Sequence, residues 1–171
     1  MFGFVALAAI GSSYEKTGAL IGLGFIGQVM VRLAEHLGAE VVLASDFVPW
    51  RLERAMELGD SAVLNPKEDG RSFPEFVQSH TDGLGADFVL VGPSAPKAIQ
   101  EGISCAAPGG RVLMFMAPQP GVKMEVEPNE LAVDHVGLNI SRRNLEYHHP
   151  TPPVPRPYGR VHLETGQALS T

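Results

Sequence analysis

The sequence predicts an α/β protein: a doubly wound parallel sheet of five to six strands with helices on both faces. Two observations carry that expectation. Short apolar runs alternate with segments of helical period from residue 19 to residue 116, the pattern that right-handed βαβ crossovers produce. A glycine triplet, Gly22-Leu-Gly24-Phe-Ile-Gly27, stands where the first apolar run passes into the first helical segment.

Ala19-Leu20-Ile21 is the first strand. The helix after the glycines places Ile26, Val29, Met30, Leu33, Ala34 and Leu37 at i, i+3, i+4, i+7, i+8 and i+11, one apolar face. Gly38 stops it. Val41 to Ser45 forms the second strand and ends on Asp46. Pro49 to Leu58 is the next helix, with Leu52, Ala55 and Met56 on one side and Gly59 as terminator. Ser61 to Leu64 is a short third strand, followed by a polar connection over residues 66–72. Phe73, Phe76, Val77 and His80 then mark a helical face, with His80 half-exposed at its end.

Thr81 to Gly85 is turn chemistry. Ala86 to Val91 is apolar throughout, as a strand covered on both faces should be. Ser94 and Pro96 open a helix that runs through Ile99 and Ile103 until Pro108-Gly109-Gly110. Arg111 to Met116 is the fifth strand, and Val136 to Ile140 a sixth. From Ser141 onward a cluster of prolines predicts an extended or disordered tail. The organisation expected is a leading segment over 1–17, a nucleotide-binding domain over 18–140 and that tail over 141–171.

The glycine triplet has a chemistry of its own. Gly22 permits the tight turn off the strand, Gly24 lets the backbone approach a pyrophosphate, and Gly27 lets helix and sheet pack closely. The helix start offers unpaired N–H groups and a positive dipole end to phosphate. Asp46 lies 19 residues past the last glycine, where a carboxylate accepts hydrogen bonds from the adenosine ribose and repels a 2′-phosphate. The alternative role for Asp46 is a helix N-cap. NAD is therefore expected over NADP.

With 171 residues, 44% hydrophobic and 19% charged, the chain can build an ordinary core. Its net charge of −6 argues against nucleic-acid partners. The opening run Phe2 to Ile10 lacks the basic start of a signal peptide and is too short to span a bilayer, so no membrane partner and a cytoplasmic location are expected. The single cysteine, Cys105, sits among small residues and suits a buried structural thiol. His148-His149 has no third ligand near it in sequence, so no metal site is expected.

From Gly18 to Met124 the chain resembles the nucleotide-binding (Rossmann) domain of the medium-chain, zinc-type alcohol dehydrogenase superfamily. Besides the glycine triplet, the resemblance rests on Glu57 to Asn65, Asp82-Gly-Leu-Gly-Ala-Asp87 and Ala107-Pro-Gly-Gly-Arg-Val112. It implies an oxidoreductase that passes hydride between an alcohol or carbonyl and nicotinamide. It also implies cofactor contacts at Gly22, Gly24, Phe25, Ile26, Gly27, Asp46 and Arg51, at Val91 and Gly92, and at Phe115, Met116 and Ala117. Zinc is expected in full-length relatives, but its ligands are missing from this sequence. The chain is thus expected to carry the NAD domain without the zinc-bearing catalytic domain, to have no catalytic residues and to be inactive alone. A homodimer through the sheet edge is a further implication. The alternative function is a non-catalytic NAD(H)-binding sensor or regulatory module.

Overall fold

The structure, a computed structural model, describes residues 16–59, 62–116 and 118–124, and the backbone of 137–140. Six strands form one parallel sheet: β1 (Thr17–Ile21), β2 (Val41–Ser45), β3 (Ala62–Leu64), β4 (Ala86–Val91), β5 (Ala106–Met114) and β6 (Gly137–Ile140), in the order β3-β2-β1-β4-β5-β6. Every pairing is parallel. Among the described residues five helices accompany them: α1 (Phe25–His36), α2 (Pro49–Leu58), α3 (Pro66–Asp69), α4 (Phe73–Ser79) and α5 (Pro96–Ser104). This is the doubly wound α/β fold that the alternation predicts. The expectations for 1–15 and 141–171 lie outside the described residues.

Alternation along each strand divides the core into two layers. Leu20, Val42, Ala44, Phe88, Leu90 and Leu113 meet α1 and α2 on one face. Their neighbours Ala19, Ile21, Leu43, Val89, Val91, Val112 and Met114 meet α4 and α5 on the other. A strand covered on both faces needs apolar residues at every position, which is why the runs are continuous rather than alternating.

Helix ends follow from local chemistry. α1 closes in a Schellman arrangement in which Gly38 N–H donates to the Glu35 carbonyl and Ala39 N–H to that of Ala34, each at 3.0 Å. α4 opens on a capping box between Ser72 and Glu75. The polar connection expected over 66–72 contains one helical turn instead: Asn65 accepts from Lys67 N–H at 3.2 Å, Pro66 takes the first position, and Glu68 and Asp69 face the positive end.

Three further expectations need correction. The buried face of α1 is Gly27, Met30, Val31 and Ala34, while Val29 and Leu37 are exposed. The apolar spacing missed this because Gly27 brings the helix backbone onto the β1 loop and rotates the face toward itself. Met56 is also exposed, α2 resting on Leu52 and Ala55. The fifth strand starts at Ala106 rather than Arg111, because α5 ends at Ser104 with Cys105 as its cap and Ala106 pairs with Ala86. The Pro108-Gly109-Gly110 run is an irregularity within the strand, and the register shifts there.

Candidate functional site

The strand ends fix the position of the site. Ser45, Ile21, Val91 and Met114 form one row across β2, β1, β4 and β5. From β1 the chain winds to β2 and β3 on one side and to β4, β5 and β6 on the other. Ligands bind where the winding direction reverses, outside the carboxyl ends. Here that point lies between β1 and β4, and the loop at 22–24 emerges from it.

The three glycines are present for different reasons. Gly22 has φ +90°, and a side chain there would press on Pro93 at 2.9 Å. A Cβ on Gly27 would run into the Gly22 carbonyl oxygen. Both are demanded by the protein's own backbone. Gly24 has φ −63° and ψ −171°, an ordinary conformation, and nothing stands within 4 Å of where its Cβ would be. It is also the N-cap of α1, with no side-chain cap on the helix start. The amides of the first turn therefore face outward beside open space, a cradle that fits a diphosphate.

Asp46 holds this loop in place. Its side chain is only 7% exposed. One carboxylate oxygen (Oδ2) accepts from Leu23 N–H at 2.7 Å, the other (Oδ1) from Val48 N–H at 2.9 Å. The expected N-cap role is not what the carboxylate plays, because Val48 is the N-cap of α2 and has no side-chain cap; the bond to Val48 N–H closes a local turn before the helix, and the bond to Leu23 N–H joins the end of β2 to the glycine loop. Charge-assisted bonds of this kind contribute about 1.5–3 kcal/mol each. The Arg51 guanidinium stands 3.4 Å from Oδ2 with 36% of its side chain exposed, a pair worth about 0–1 kcal/mol. Its guanidinium also lies 5.6 Å from the Trp50 ring centroid, and Lys67 lies 4.6 Å from that of Phe47. Both aromatic rings are exposed beside Asp46.

The remaining sequence-expected residues divide. Phe25 is exposed and Ile26 packs partly on the core. The Val91 side chain is fully buried beneath the cleft, so the chain reaches the β4 edge as Gly92, whose N–H donates to the Ile21 carbonyl at 2.9 Å. Phe115 N–H donates to the Val91 carbonyl, which ties β5 to the same edge; Met116 is exposed there. Ala117 lies outside the described residues.

Gln28 was not singled out from the sequence. Its Nε2 donates to the Arg51 carbonyl at 2.7 Å and the Leu23 carbonyl at 3.3 Å. The signal available was a polar residue directly after the last glycine, inside a largely apolar stretch.

Cys105 is fully buried, and burial, with Glu101 nearby, pushes its thiol well above the usual range. That excludes a thiolate nucleophile. His80 is exposed, its Nδ1 lying 2.8 Å from the Phe76 carbonyl. Among the described residues no three His, Cys, Asp or Glu side chains converge on a point that could hold a metal, and no helix is long and apolar enough to cross a membrane.

The glycine loop thus rests on its carboxylate at the reversal of a parallel sheet, and comparison with known proteins gives the family. The zinc-binding dehydrogenase family matches residues 26–147, well over half of the chain. The chain belongs to the zinc-binding dehydrogenase family. An L-threonine 3-dehydrogenase of Caldanaerobacter subterraneus subsp. tengcongensis is 35% identical over 120 residues, covering 70% of this chain and 34% of that one. An alcohol dehydrogenase zinc-binding domain protein of Burkholderia ambifaria superposes with TM-score 0.76 at 27% identity, over 81% of this chain and 37% of its own. A zinc-binding dehydrogenase homologue of Sinorhizobium meliloti 1021, solved bound to NADP, shares the fold with TM-score 0.73 at 23% identity, over 81% of this chain and 41% of its own. The matched part of the chain spans about a third of the length of that curated relative.

Proposed function

We propose that residues 18–140 bind NAD as the coenzyme domain of an alcohol or polyol dehydrogenase-type oxidoreductase. The observation that carries this reading is Gly24: neither its dihedral angles nor any neighbouring atom calls for glycine, and it adjoins the uncapped start of α1. A pyrophosphate lying over that position supplies the missing reason. In this reading the first-turn amides of α1 hold the phosphates, Asp46 and Arg51 hold the adenosine ribose, and Gly92, Phe115 and Met116 border the nicotinamide end. The sunken Asp46 carboxylate supports NAD over NADP, because a 2′-phosphate would meet a negative charge fixed by two backbone amides.

Bound nicotinamide supplies the hydride acceptor. The chain's own residues orient it by fixing phosphate and ribose. Gly92, Phe115 and Met116 carry no titratable side chain, so polarising the substrate oxygen and moving its proton fall to groups outside this set. The described residues offer no group of three His, Cys, Asp or Glu side chains that fits zinc. Relatives about twice as long include L-threonine 3-dehydrogenases, and a small alcohol is the substrate class we assign to the whole enzyme.

The test is calorimetric titration of the 171-residue chain with NADH and NADPH, alongside a Gly24→Val variant. NADH should bind more tightly than NADPH, and Gly24→Val should weaken NADH at least tenfold, about 1.4 kcal/mol. Equal binding by the variant would remove the basis of the reading.

A further inference from the structure

Leu23, Asp46, Arg51 and Gln28 form a closed ring of hydrogen bonds. Leu23 N–H and the Arg51 guanidinium both reach Asp46 Oδ2. The carbonyls of the same two residues, Leu23 and Arg51, both accept from Gln28 Nε2. An amide nitrogen has two hydrogens, and here both are used. The other end of the amide is different: Oε1 is buried and has no hydrogen-bond partner among the described residues. Leaving a buried acceptor unpaired is costly, and an apolar side chain of the same length would avoid that cost. The compensation is the pair of donor contacts, which join the glycine loop to the first turn of α2 across the carboxylate between them.

We propose that Gln28 is a positioning residue: it sets the separation between the phosphate cradle at Gly22–Gly27 and the ribose-binding pair Asp46–Arg51, so that a ligand joining both parts fits while its separate pieces gain little. The inference rests on the dinucleotide reading of this site. It concerns geometry between two subsites and not contact with the ligand, because the amide donors point at protein carbonyls. A residue that served folding alone would lower stability without changing how one nucleotide fragment binds relative to another.

The experiment uses the full 171-residue chain, as wild type and as Gln28→Met, which keeps the length and removes the donors. Affinities are measured by calorimetry for ADP-ribose, which spans both subsites, and for adenosine and inorganic pyrophosphate, which do not. Gln28→Met should bind ADP-ribose about tenfold more weakly, about 1.4 kcal/mol, with adenosine and pyrophosphate changed less than twofold. Where Met compromises folding, Gln28→Asn keeps an amide one methylene short of both carbonyls and should give the same ratio. Parallel losses for all three ligands, or unchanged ADP-ribose affinity in a folded variant, would overturn the positioning role and leave the dinucleotide reading standing. A wild type that binds none of the three would end both.

Discussion

Substituting alanine at Gly24 and at Gly27 should separate stability from binding, although the two glycines are three residues apart in one motif. At Gly27 the new Cβ runs into the carbonyl oxygen of Gly22 and comes within 3.1 Å of its carbonyl carbon. Both are backbone atoms, so no rotamer change relieves the contact, and α1 must move off β1. Overpacking of this kind costs about 1–3 kcal/mol. At about 4 °C per kcal/mol for a domain of this size, the melting temperature should fall by about 4–12 °C. At Gly24 the Cβ meets nothing, and φ −63° suits any residue. Loss of the N-cap preference for glycine costs a few tenths of a kcal/mol to about 1. Reduced freedom of the unfolded chain returns about 0.4–1 kcal/mol. The two nearly cancel, so the melting temperature should stay within about 2 °C of wild type. Binding should behave in the opposite sense, with Gly24→Ala weakening NADH several-fold in a fully folded protein. Thermal scans by circular dichroism give the first quantity. Quenching of Trp50, the chain's single tryptophan and an exposed neighbour of Arg51, gives the second. If Gly24→Ala destabilised the fold as much as Gly27→Ala, or if Gly27→Ala melted like wild type, the assignment of these glycines to ligand and backbone would be wrong.

Phe88, buried between β1 and the α1–α2 layer, should cost about 3–5 kcal/mol when cut to alanine, read as a fall in the urea midpoint; an unchanged midpoint would contradict the two-layer core. Cys105 should resist alkylation in the native chain and react only as denaturant unfolds it, because burial holds its thiol protonated; rapid native labelling, followed by mass, would refute this. Glu75 is held below the usual carboxylate range by hydrogen bonds from the Ser72 backbone and side chain, with Arg71 adding to them. A lowered folded value means that the stabilisation is present above the unfolded value and lost as pH falls through the folded one. Stability of Glu75→Gln should therefore converge with wild type on acidification, measured as melting temperature against pH, whereas a constant gap would rule the capping box out as its source.

Much of the site was legible because its chemistry is local. Gly22 and Gly27 answer to turn and packing geometry within six residues, and Asp46 ends an apolar run whose length is set by the sheet. The face of α1 was not legible from hydrophobic spacing, since a glycine contributes nothing to apolar periodicity yet decides which side of the helix touches the strand. The start of β5 was hidden because Pro108-Gly109-Gly110 is a breaker by composition, while pairing of Ala106 with Ala86 carries the strand across it. Gln28 escaped notice for a related reason: its partners, the carbonyls of Leu23 and Arg51, are backbone groups that carry no residue-type signature.

The sequence alone determined the layered α/β class, the glycine loop and the acid beside it, because strand and helix periods and backbone freedom at glycine are properties of short segments. Tertiary structure decided the order β3-β2-β1-β4-β5-β6, the rotation of α1 about its axis and the ring through Asp46, Leu23, Gln28 and Arg51. Those depend on which distant backbone groups are brought within hydrogen-bonding reach, and only packing of the whole sheet against its helices sets that.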